Sequence, residues 1–85
     1  MEQDAISEQA AELRDILQRR APDMEWGTIH CAYDAEAVLW VRVRAGRAER
    51  RVQFVVIVPA SDKANNATVA ARILTEAHRL FRTKN

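Results

Sequence analysis

The stretch Ala37–Val58, AVLWVRVRAGRAERRVQFVVIV, decides the fold. It holds two β-rich runs around a single glycine, Gly46, with apolar and polar residues alternating along them. Alternation with period two is what a strand with one buried face requires. Leu39, Val41 and Val43 point one way, and Val38, Trp40, Arg42 and Arg44 the other. A type II′ loop takes glycine first, so the spacing predicts a hairpin turning at Gly46-Arg47. In that register Leu39 faces Phe54 and Val41 faces Val52 on the inner side. Trp40 faces Gln53, Val38 faces Val55, Arg42 faces Arg51 and Arg44 faces Glu49 on the outer side.

Upstream, Ile6, Ala10, Leu13, Ile16 and Leu17 recur at spacings of three and four, the stripe of an amphipathic helix. Asp4 or Ser7 is its expected cap, and acids at its start with Arg19 and Arg20 at its end suit the helix dipole. Pro22 ends it by disfavouring helical dihedrals at Ala21. From Met24 to Tyr33, Ile29, Cys31 and Tyr33 alternate with Trp26, Thr28 and His30, which predicts a strand with Gly27 as a bulge. Trp26 and His30 then join Trp40 on the outer face. Asp34-Ala35-Glu36 makes the next turn and leaves the register of this first hairpin open, because it lacks the Gly or Asn of tight primed turns.

The third strand runs from about Arg50 to Val58 and stops at Pro59. Ser61–Asn66 is a polar connector in which Ser61 or an Asn caps a second helix reaching Arg82. Ala70, Ile73, Leu74, Ala77, Leu80 and Phe81 form that helix's apolar stripe, and Thr83-Lys84-Asn85 is expected to fray. The expected fold is a single α+β domain over residues 1–85. It has two layers in the order α-β-β-β-α: a three-stranded antiparallel meander with both helices on one face.

Eighty-five residues leave room for one core, and 48% hydrophobic with 29% charged residues is ordinary for a globular chain. No apolar run approaches the roughly 20 residues of a membrane span. The N-terminus has neither the basic nor the apolar part of a signal peptide, and one cysteine permits no internal disulfide, so a cytoplasmic location is expected. The net charge of +1 hides an asymmetry: residues 1–37 hold nine acids and three Arg, residues 38–85 ten Lys or Arg and three acids. Eleven of the thirteen cations are Arg, either from a GC-rich genome or for planar bidentate contacts.

No catalytic, cofactor or metal motif is present. His30 and Cys31 are neighbours on a strand and point to opposite sides, and His78 stands alone on a helix. Two glycines cannot build a phosphate loop. No enzymatic activity and no cofactor are therefore expected. The outer sheet face is the candidate site, an interaction surface in which Trp40 is the anchor, Trp26 and Ile57 surround it, and Arg42, Arg44, Arg47 and Arg51 reach acidic groups or phosphates. A protein partner is the leading expectation, with nucleic acid, or a homodimer through the same face, as alternatives. Arg42 opposite Arg51 would be a repulsive pair until an anion relieved it.

The element order resembles the double-stranded-RNA-binding domain, which shares α-β-β-β-α over this length. That resemblance implies contacts from a lysine cluster opening the second helix, from the first helix and from the first hairpin loop. The matching positions here are Lys63 beside Asp62, Glu8 and Glu12, and Asp34-Ala35-Glu36. In size and style the chain is also similar to the small inhibitors encoded by phages and mobile elements, anti-CRISPR proteins among them, which implies steric engagement of a bacterial protein complex.

Overall fold

The structure is a computed structural model that describes the backbone of residues 2–82 and the side chains of residues 7–82. Helix α1 spans Glu2–Arg20, strands β1, β2 and β3 span Glu25–Tyr33, Leu39–Arg47 and Arg50–Val58, and helix α2 spans Asn66–Arg82. The strands form one antiparallel sheet in the order β1-β2-β3. Both helices cover the same face, α1 over β1 and α2 over β2 and β3, and they pack against each other. This is the two-layer α+β meander that the alternation and the two helical stripes predict.

The β2–β3 hairpin turns two residues later than expected. Arg47 pairs with Arg50, leaving Ala48-Glu49 as the loop, and Leu39 faces Val58, Val41 faces Val56, Val43 faces Phe54 and Ala45 faces Val52. Every buried inward residue of β2 from Leu39 to Ala45 thus meets an apolar partner. The Gly46-Arg47 turn would have set Arg50 opposite Val43 on the buried face, where an unpaired charge costs several kcal/mol. The observed register instead holds Ala48 at φ 50° and Glu49 at φ 67°, a left-handed pair that costs an L-residue roughly 1–2 kcal/mol per position. The smaller penalty wins. Replacing Ala48-Glu49 by Asn-Gly is expected to raise stability by about 1 kcal/mol, or about 4–8 °C in melting temperature for a domain of this size. A thermal melt that does not rise would overturn this account of the turn.

Because the shift is by an even number of residues on each strand, the two faces of β2 and β3 are those expected. The outer pairs do change. Trp40 faces Ile57, Arg42 faces Val55, Arg44 faces Gln53 and Arg51 faces Gly46, so the expected Arg42–Arg51 clash does not exist.

Strand β1 corrects a larger expectation. Trp26 pairs with Ala45 and Ile29 with Val43, with an irregularity between them at Gly27-Thr28. Two strand residues three apart normally face opposite ways, but the extra residue of a bulge turns both inward. Trp26 therefore lies in the core at 4% exposure, not on the outer face, and its indole N–H donates to the Ala21 carbonyl at 3.3 Å. Glycine is suited to this bulge by a close approach, since a Cβ on Gly27 would sit 3.2 Å from the Cβ of Arg44. Cys31 is buried and Ile29 half-buried as expected, but Tyr33 at the strand end is exposed, its hydroxyl donating to Gln9 Oε1 at 2.8 Å.

Helix α1 begins at Glu2, ahead of both Asp4 and Ser7, so neither is its cap; no residue near its start breaks a helix. Leu13 and Leu17 are buried, with Ala10 and Ile16 packed against the core; Ile6 of the stripe lies outside the described side chains, as do Thr83, Lys84 and Asn85 of the expected frayed end. Asn65 caps α2, its side chain accepting the Thr68 N–H at 3.2 Å. Val69, Ala70, Ile73 and Ala77 face the sheet, while Leu74, Leu80 and Phe81 flank the core. Among the described residues no polar or charged one is buried. Among the described residues no helix is long and apolar enough to cross a membrane.

Candidate functional site

The face of the sheet opposite the helices is open. Along β2 it presents Trp40, Arg42 and Arg44, all exposed. Trp40 is flanked by Ala32 of β1 and Ile57 of β3, and Arg42 by His30 and Val55. Trp40 is 42% exposed, Val55 49% and Ile57 51%, a contiguous apolar block on adjacent strands. The three side chains adjoin across strands and are not isolated exposures.

A buried carboxylate is not needed to hold this surface; an exposed one does it. Asp34, the last residue before the β1–β2 turn, accepts the Trp40 indole N–H on Oδ2 at 3.0 Å. Its Oδ1 accepts the backbone N–H groups of Glu36 at 2.9 Å and Val38 at 3.0 Å. Three donors, the Trp40 indole foremost, hold the Asp34 carboxyl below its ordinary value. The turn closes by the Ala37 N–H on the Asp34 carbonyl at 3.0 Å, and Ala37 takes φ 62°. This is the type I turn plus left-handed residue of longer hairpin loops. Asp34 thus links the turn to the orientation of Trp40. The sequence offered it only as a turn residue, and its side-chain capping of the N–H two residues on is the signal that was there.

The arginines divide. Arg42 projects from the open face with no partner among the described residues, Arg44 donates to Gln53 Oε1 at 2.9 Å, and Arg51 lies across Gly46 from Glu25. Arg47, expected with them, pairs with Asp23 at 3.3 Å and belongs to the helix-side surface, because the later turn leaves it in register with the inward residues. Arg50, its strand partner, packs over the Phe81 ring at 5.8 Å. Of the expected site residues, the structure brings together Trp40, Arg42, Arg44, Arg51 and Ile57. Trp26 and Arg47 are not with them.

Strand alternation sends His30 to the open face and Cys31 to the core. Burial lifts the Cys31 thiol from its ordinary 9.0 to about 11. Between those values the unfolded chain releases the proton and the folded chain keeps it. Stability that is complete below pH 9.0 is therefore lost as pH rises towards about 11. Urea unfolding at about pH 8 and about pH 10.5 is expected to show this loss in the native sequence and not in Cys31→Ala. Equal losses in both proteins would show that other groups cause it.

Compared with known protein families, curated proteins and solved structures, the chain matches none of them.

Proposed function

We propose that the chain is a non-enzymatic protein-binding module that acts through its open sheet face. The observation that carries this reading is the apolar block of Trp40, Ile57 and Val55, bordered by Arg42, Arg44 and Arg51. Tryptophan and arginine are the residue types whose truncation most often weakens a protein interface by more than about 2 kcal/mol. Trp40 is oriented before any partner arrives by its bond to Asp34, which lowers the entropy lost on binding. The chain's size suits a steric inhibitor, one that covers a surface of a larger bacterial protein complex in the manner of the anti-CRISPR proteins.

Nucleic acid is the weaker reading. The positions that the double-stranded-RNA-binding resemblance nominates, on α1, the β1–β2 turn and the entry to α2, converge around one open cleft of about 710 Å³. Glu8, Glu12 and Asp34 line it against Lys63 alone among the cations. Three carboxylates there oppose a phosphate backbone.

Capture from a bacterial lysate tests the proposal, with the native chain, Trp40→Ala and, as a control on exposed α1, Arg14→Ala immobilised in parallel. Partners held by the native chain and the control but lost by Trp40→Ala support it. Capture that ignores Trp40, or steeply salt-dependent binding of duplex RNA in its place, sinks it.

A further inference from the structure

We propose that the open sheet face binds a second copy of this chain, the two sheets stacked with strands antiparallel about a two-fold axis that runs across the strands. This rests on the reading of that face as a protein interface and gives it a second occupant, a copy of the chain that a larger partner displaces from the same residues.

The face is polarised along its strands. Asp34 and Glu36 stand at one end, in the β1–β2 turn. The row Ala32-Trp40-Ile57 follows, then His30-Arg42-Val55, then Arg44 beside Gln53, and last Glu25-Gly46-Arg51. An isologous contact between two such faces can be made in two ways. A two-fold axis parallel to the strands lays each row on its own copy, so that Arg42 meets Arg42 and Arg44 meets Arg44. Facing like charges costs free energy.

An axis across the strands, passing between Trp40 and Arg42, reverses one copy against the other. Trp40 then lies over Arg42 of the second copy, twice by symmetry, which is the stacking an indole and a guanidinium favour. Ile57 lies over Val55 of the second copy, also twice. The acidic turn of each copy reaches the Arg44 end of the other. That end is a recess: Gly27 and Gly46 put no side chain on the face, and a depression of about 540 Å³ is bordered by them with Glu25, Arg44, Arg51 and Gln53. A turn with two carboxylates thus meets a hollow where two guanidinium groups outnumber one carboxylate. The two-fold that joins the apolar blocks also joins the opposite charges.

The size of the face sets the strength. Three strands about 4.8 Å apart and nine residues long present roughly 14 × 30 Å, or about 400 Å² in projection per copy. Two such faces come to about 800 Å² in projection, below the roughly 1,200 Å² at which standard specific interfaces begin, so the dimer is weak and transient, with an expected Kd of about 100 μM.

Sedimentation velocity on the intact chain from about 5 μM to about 500 μM brackets that value. The variants are Arg44→Glu, Glu36→Arg and the two combined, all at exposed positions, with folding checked by circular dichroism. The native chain is expected to dimerise reversibly, each charge reversal to weaken the dimer by about tenfold, and the combined variant to restore most of it. A native chain that stays monomeric throughout overturns the proposal. So does a dimer that ignores the single reversals or that the combined variant does not restore. A monomer whose capture of another protein still requires Trp40 removes self-association alone; one whose capture ignores Trp40 removes the sheet-face reading with it.

Discussion

Replacing Trp26 by alanine is expected to cost about 3–5 kcal/mol of stability, a large share of the roughly 4–13 kcal/mol that a domain of this length possesses. The indole is 4% exposed and sits in the core with Met24, Ala21 and Ala45. Its removal leaves a cavity that neighbouring strands and the end of α1 cannot both close. It also strips the Ala21 carbonyl, just past the last turn of α1, of its indole donor. Trp26→Phe separates the two effects, since it keeps most of the volume and loses only the bond, and about 1–2 kcal/mol is expected for it. Urea denaturation followed by far-ultraviolet circular dichroism measures both. A loss below about 1 kcal/mol for Trp26→Ala would return Trp26 to the surface and dissolve the bulge account of β1.

Trp40→Ala is expected to behave in the opposite way. Stability should change by less than about 1 kcal/mol, because the side chain is 42% exposed and the Asp34 carboxylate keeps its two backbone donors in the turn. Binding through the sheet face should weaken by more than about 2 kcal/mol, or roughly thirtyfold in Kd. The two measurements must be made on the same preparation, since binding lost together with folding would say nothing about the interface. A variant that binds as the native chain does would remove Trp40 from the site. The chain's two tryptophans thus make a paired test: one change should destabilise the protein strongly, and the other should leave its stability nearly intact and its binding weakened.

Much of the fold was legible because its signals are local. The three- and four-residue spacing of Leu13, Ile16 and Leu17, and of Ile73, Leu74 and Ala77, reports a helix without reference to any other segment. Alternation from Leu39 to Arg44 reports a strand and both of its faces, and Pro22 and Pro59 mark ends through their own dihedral limits. The Trp40, Arg42 and Arg44 part of the candidate site follows from that alternation alone, and a register error of an even number of residues leaves it unchanged.

What only the tertiary structure decided is where one local preference had to yield to another. Gly46 favoured a turn that would have buried Arg50, and pairing of Val43 with Phe54 moved the turn onto two residues with poor intrinsic liking for it. That move took Arg47 to Asp23 and dissolved the Arg42–Arg51 pair. Gly27 was legible as a bulge, but its effect on Trp26 depended on which neighbouring residues carried the extra one, which is a property of the β1–β2 pairing. Periodicity along a chain sets which side of its own element a residue takes. Register, bulge position and the fate of an arginine at a strand end are set by what lies across the sheet, and the sum of those cross-strand energies is not written in any one segment.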